Sequence, residues 1–309
     1  MRWATYLSER AGSDRVGLVV GDAIHGIDEA RLVDLLGDDG ERLARAGERA
    51  RADPVEVLLL RSVRLRAPIP MPPVVRDFAS FEAHIRTSWQ ALGLEFPDDW
   101  YQLPLYYFQN PAAVQGPYED VPLAPGTSRF DYELEICAVV GRSGSDLTPE
   151  QAEQSIAGYM LFCDWSSRDV QAREKKLFIG AVKSKDTATS VGPFLVTPDE
   201  LAPYRKNKAF DLAMTARVNG ELCSEGNLSE IYWSFGQMLA YASRGTRLVP
   251  GSLCGSGTVG TGCLLELVRT HGEEAYSFLQ AGDRVRLEVD HLGAIEARVV
   301  EGAAVVPYM

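Results

Sequence analysis

Asp131-Tyr132-Glu133-Leu134-Glu135-Ile136-Cys137-Ala138-Val139-Val140 is the stretch on which the reading of this chain turns. Ile136, Val139 and Val140 suit a half-buried pleat and Gly141 closes the run, so the stretch predicts a β-strand. Side chains alternate along a strand, which puts Asp131, Glu133 and Glu135 on one face. Leu134, Ile136, Ala138 and Val140 then face a core. Carboxylates side by side repel unless positive charge lies between them. The acidic face is therefore either solvated or part of a site for a hard metal ion.

The rest of the composition narrows the function. The chain has 309 residues, 46% of them hydrophobic, enough for a large core. A net charge of -12 argues against nucleic acid or an anionic membrane as the main partner. No apolar run approaches the roughly 18 residues of a membrane helix, and the start, Met1-Arg2-Trp3-Ala4-Thr5-Tyr6, lacks the apolar core of a signal peptide. The expectation is a cytoplasmic protein. Its five cysteines form no CxxC pair, so they read as buried reduced thiols rather than a zinc site. Only six of 31 basic residues are lysines, all between Lys175 and Lys208. Such avoidance raises the weight of each lysine, although a basic surface loop accounts for most of them.

Residues 1–68 read as a small N-terminal domain and 69–309 as a second one, with Pro68-Ile69-Pro70-Met71-Pro72-Pro73 as the boundary. Gly21-Asp22 predicts a hairpin turn, and the charged run 29–52 a broken helix. Val74 to His84 predicts a strand feeding a helix. Residues 86–102 are rich in aromatics and form either a lid or a packed surface loop. Thr148-Pro149-Glu150-Gln151 predicts a capped helix running to about Gly158. Tyr159 to Cys163 is of strand length and ends at Asp164. Residues 228–243 have helical spacing. Residues 250–262 are rich in glycine but carry no lysine in the register of a phosphate-binding loop. Residues 285–300 predict a hairpin. Many short strands with a few separated helices predict an α+β fold, mostly β.

Taken together and in order, several motifs resemble the fumarylacetoacetate hydrolase family over about residues 70 to 305. They are Asp77 with His84 seven residues on, Asp131-Tyr132-Glu133-Leu134-Glu135, Asp164-Trp165-Ser166-Ser167-Arg168-Asp169-Val170-Gln171, and Lys183-Ser184-Lys185-Asp186-Thr187 before Val191-Gly192-Pro193-Phe194. Pro250-Gly251, Gly255-Ser256-Gly257-Thr258 and Leu264-Leu265-Glu266-Leu267 complete the set. The resemblance implies a mixed-sheet β-roll behind a small N-terminal domain, and usually a homodimer. It implies Glu133, Glu135 and Asp164 as metal ligands, joined by Asp77 in the fumarylacetoacetate-cleaving branch. The metal would be Mg2+, with Ca2+ or Mn2+ as substitutes, which agrees with an all-carboxylate donor set.

The same resemblance implies His84 as general base, Glu266 as the carboxylate that orients it, and Lys183 as the active-site lysine. Gln171, Tyr107 and Thr258 match substrate contacts. Lys175 stands where the branch has a tyrosine, and Gly93 where it has a substrate-binding arginine. These departures touch substrate recognition and leave the chemistry intact. The implied activity is hydrolysis of a C–C bond in a 1,3-diketo acid of fumarylacetoacetate or acylpyruvate type by a His-activated water. A decarboxylase, tautomerase or hydratase-like enzyme on 2-oxo acids is the alternative, and an inactive metal-stabilised binding protein the second.

Overall fold

Leu134–Val140 forms a strand inside a 13-stranded sheet and is buried on both faces. Leu134, Ile136, Ala138 and Val140 enter one apolar cluster, and Cys137 and Val139 enter another. Ile156–Asp164 lies antiparallel on one side, with Leu134 opposite Cys163. Leu253–Gly255 lies antiparallel on the other. Beyond it come Val75–Phe78, running parallel to Leu253–Gly255, and Tyr106–Gln109 at the edge. In the opposite direction the sheet continues through Leu195–Val196, Arg2–Ser8, Ser13–Val20, Ala23–Gly26 and Glu56–Leu59. A second sheet of five strands is built on Ala213–Val218, Glu221–Asn227 and the hairpin Arg284–Val289/Gly293–Val300. This computed structural model describes residues 1–90 and 94–307. The architecture is α+β and mostly β, and among the described residues no helix is long and apolar enough to cross a membrane.

Local chemistry explains several elements. Thr148 accepts from the Gln151 amide while the Gln151 side chain accepts from the Thr148 amide, a reciprocal cap that starts the helix Pro149–Gln154. Ser234 and Gln237 repeat the device for Phe235–Ala242. Asn219 and Gly220 both take positive φ, as the tight turn between Val218 and Glu221 requires.

Four elements differ from expectation. The acidic stretch is not one strand: Phe130–Asp131 pairs with Ser166–Ser167, and Glu133 makes only a single bridge, to Cys263. The helix after Thr148 stops at Gln154, because Ile156 to Asp164 completes the sheet and buries a run of apolar residues there. The helical segment in 228–243 shortens to Phe235–Ala242 behind its serine cap. Arg2–Ser8, not anticipated, links residues before the proline run to the rest: Arg2 pairs with Val196 and Trp3 with Leu195. Trp3, Val16 and Leu18 share an apolar cluster with Val139, Met160 and Leu253.

Candidate active site

The register of the central strands brings four carboxylates together. Asp77 lies opposite Gly255 on one side and Tyr107 on the other. Gly255 has no side chain to separate Asp77 from Glu135: a Cβ there would stand 2.4 Å from Asp77 Oδ1 and 3.2 Å from Glu135 Oε2. Asp164 ends the strand beside Glu133, whose carbonyl accepts from the Asp164 amide at 3.4 Å. All four acids are buried. Oxygens of Asp77, Glu133 and Glu135 lie within 4.8 Å of one another.

Their hydrogen bonds are specific. The Gly257 amide donates to Glu135 Oε2 at 2.9 Å, and the Thr258 hydroxyl to Glu135 Oε1 at 3.2 Å. The Tyr107 hydroxyl is 2.5 Å from both Asp77 Oδ2 and Asp164 Oδ2. Arg168 donates to Asp131 Oδ2 and to Glu133 Oε1, each at 2.7 Å. Asp131 therefore does not join the cluster. It binds Arg168 and accepts from the amides of Leu264 at 2.7 Å and Leu265 at 3.0 Å. Asp131 thus anchors the start of the helix Leu264–His271, where a negative charge is favoured.

Lys183 does not reach the site. It is exposed and pairs with Asp186, its neighbour in the same short turn. Lys185, two residues on, is buried and extends its Nζ to Glu133 Oε2 and Asp164 Oδ2, 2.5 Å from each. The turn Lys183–Lys185 points one lysine out and the other in. The scarcity of lysine marked this segment, but nothing in its sequence separated the two. Arg168 and Gly255 were visible in the motifs without a stated role.

His84 and Glu266 come together across the fold. His84 Nδ1 is 2.8 Å from Glu266 Oε2, and both side chains are buried. His84 lies on the helix Glu82–Gln90 and Glu266 in the first turn of Leu264–His271.

A cavity of about 180 Å3 connects these parts, lined by His84 together with Asp77, Glu133, Glu135 and Lys185. Gln171, Tyr107, Thr258 and Lys175 also line it. Trp100 packs against Tyr232 and donates its indole N–H to the Ala79 carbonyl at 2.9 Å, so this end of the 86–102 segment is a packed loop. Leu92 and Gly93 lie outside the described residues.

Charge sets the protonation pattern. Burial, then the carboxylates of Asp77 and Glu133, pushes Glu135 well above the usual carboxylate range. Burial also raises Asp77 and Asp164, against the pull of Lys185. Burial opposes the charge of Glu133 too, but Lys185 and Arg168 overcome it and hold that carboxyl below its ordinary value. Burial works against the Lys185 ammonium, while Asp164 and Glu133 outweigh it and raise its pKa.

Such a set fits a divalent cation. Asp164 Oδ1 is buried with no hydrogen-bond partner. Every donor is a carboxylate oxygen, which suits a hard ion and excludes a thiolate site. The five cysteines are free thiols. Cys263 Sγ lies within 4.8 Å of the ligand atoms of His84 and Glu266.

Residues 73–300 match the family described as Fumarylacetoacetate (FAA) hydrolase C-terminal. The oxaloacetate tautomerase YisK of Bacillus subtilis is 30% identical over 247 residues, 78% of this chain and 74% of that protein. The human mitochondrial oxaloacetate tautomerase FAHD2A is 28% identical over 267 residues, 85% of this chain and 78% of its own. The fumarylacetoacetate hydrolase EaFAH of Exiguobacterium antarcticum superposes with a TM-score of 0.74 at 25% identity, covering 97% of this chain and 99% of that one. The maleylpyruvate hydrolase of Sphingobium sp. SYK-6, solved with manganese(II) and pyruvate, shares the fold: TM-score 0.71 at 24% identity, covering 98% and 100% of the two chains. With the acids, the imidazole and the β-rich roll all in place, the chain belongs to the fumarylacetoacetate hydrolase family.

Proposed function

We propose that this chain is a metal-dependent tautomerase of small 2-oxo acids, interconverting the enol and keto forms of an oxaloacetate-like substrate. The observation that carries the reading is His84, held by the buried Glu266 and set on the wall of the cavity that Asp77, Glu133 and Glu135 also line. It gains weight from the oxaloacetate tautomerases among the relatives. The reaction moves one proton between carbon and oxygen, and it needs a base whose pKa lies near neutrality. Glu266 holds Nδ1 of His84, which leaves Nε2 for the substrate proton and stabilises the imidazolium that forms.

Asp77, Glu133, Glu135 and Asp164 would hold the cation, for which we assign Mg2+. When bound, it supplies positive charge that favours the enolate form of a 2-oxo acid. Lys185 keeps its proton and places a fixed charge beside the developing oxyanion. Gln171 and Thr258 contribute polar groups on the cavity wall. The cavity is smaller than the roughly 300–1,000 Å3 usual for drug-sized ligands, which favours a short acid.

Loss of the ultraviolet absorbance of oxaloacetate enol, with wild type against His84→Ala, tests the reading. Acceleration by the wild type only, and only with metal, supports it. Wild-type protein that leaves the spontaneous rate unchanged overturns it. The second reading, C–C hydrolysis of a diketo acid, rests on the same imidazole activating water. Release of two acids from an acylpyruvate, rather than one isomerised acid, would favour it.

A further inference from the structure

We infer that Lys175 and Arg269 form a second anion subsite at the cavity mouth, which receives the distal carboxylate of a dianionic substrate. The inference rests on the tautomerase reading and specifies the acid. Lys175 follows Gln171 by four residues on the helix Arg168–Lys176, and Arg269 follows Leu265 by four on Leu264–His271. At those spacings each cation stands on the face of its helix that carries a residue of the cavity. Both side chains line the cavity themselves.

Neither cation has an acidic partner among the described residues, although acids are close along the chain. Glu174, beside Lys175, is taken by the amides of Val182 and Ser184 and by the Ser184 hydroxyl. Asp169 is taken by Thr127 and Ser128. Glu266, one turn before Arg269, is held by His84. Lost water at the cavity wall, followed by the charges of Arg269, Arg168 and Lys185, lowers the pKa of the Lys175 ammonium. Lost water and Arg168 act on Arg269 in the same direction.

Two uncompensated cations on a protein of net charge -12 create a local field that an arriving anion neutralises. The metal-side carboxylates cannot serve a second negative group, so the mouth is where a distal carboxylate finds its partners. A monoacid with an apolar tail would leave both cations without one.

Calorimetric titration of the full-length protein in the presence of Mg2+, with oxaloacetate against 2-oxobutyrate, isolates the distal carboxylate: the two acids share a four-carbon backbone. The expected result is preference for oxaloacetate that falls by about tenfold or more in K175M/R269M, the range for hydrogen bonds to charged groups. Affinity for 2-oxobutyrate should stay within about twofold, and K175R should keep the preference. Equal affinity for the two acids in the wild type, or a double variant that retains the preference, overturns the subsite. If enol turnover by the wild type accompanies either of those results, the tautomerase reading survives without the subsite. A preference lost in the double variant, without enol turnover by the wild type, has the opposite meaning.

Discussion

His84 Nδ1 lies 2.8 Å from Glu266 Oε2, a buried hydrogen bond between residues 182 positions apart. The bond fixes which ring nitrogen faces substrate. Replacing His84 by alanine should lower kcat by about 10²–10⁴-fold, the range for loss of a general base. Glu266→Gln should cost a similar factor, because the amide N–H can donate to Nδ1 and reverse the tautomer. Calorimetric Mn2+ affinity should be unchanged in both. Loss of metal binding together with activity would show the pair to be structural.

Lys185 and Lys183 should respond in opposite ways to the same substitution. Lys185→Met leaves Asp164 without its buried cation and Glu133 with Arg168 alone, which should destabilise the metal-free protein by about 3–5 kcal/mol. Lys183→Met removes an exposed pair with Asp186, and should shift stability by no more than about 0.5 kcal/mol. Urea titration of both variants in EDTA measures the contrast, and equal effects would place Lys183 in the site instead.

Gly255→Ala should damage the metal site more than the fold. The added methyl would stand 2.4 Å from Asp77 Oδ1, forcing that carboxylate to move. Overpacking of this kind costs about 1–3 kcal/mol. The larger change should be in Mn2+ affinity, read by calorimetry. An alanine variant with wild-type affinity would mean that Asp77 is not a ligand.

Metal and pH should be linked through stability. Asp77, Glu135 and Asp164 are raised in the folded protein, and Glu133 alone is lowered. A carboxyl raised on folding binds its proton more tightly in the native state, so its contribution is present below the unfolded pKa and is lost as pH rises through the folded one. Glu133 works in the other direction, and its contribution is lost as pH falls. With three groups against one, protein in EDTA should lose stability as pH rises above the ordinary carboxylate range. A divalent cation stabilises only the native state, so the gain in Tm on adding Mg2+ should grow over the same interval. A gain that shrinks toward high pH would contradict the carboxylate set.

Much of the site was legible because its signals are local. Asp77 and His84 share one strand-to-helix segment, Glu133 and Glu135 one stretch, and Asp164 closes an apolar run, so each falls in a short motif that carries the family resemblance. The strand alternation of Leu134 to Val140 likewise follows from the pleat. Asp131 misled, since periodicity alone extends the acidic face to it. In the structure Arg168 and the amides of Leu264 and Leu265 draw it to another element. The helix after Thr148 was capped as expected but stops at Gln154, short of Gly158, because burial of Ile156 in the sheet outweighs propensity.

By itself the sequence determined the β-rich class, the order of the acidic motifs and, through the family resemblance they carry, a candidate carboxylate site with a histidine. Those properties depend on residue type and short spacing, which a linear chain records. The tertiary structure decided which lysine turns inward, that Gly255 lets Asp77 and Glu135 meet, and that Lys175 and Arg269 line one cavity. Each of these depends on the path of backbone between distant strands and helices, and on which acids are already taken by other donors.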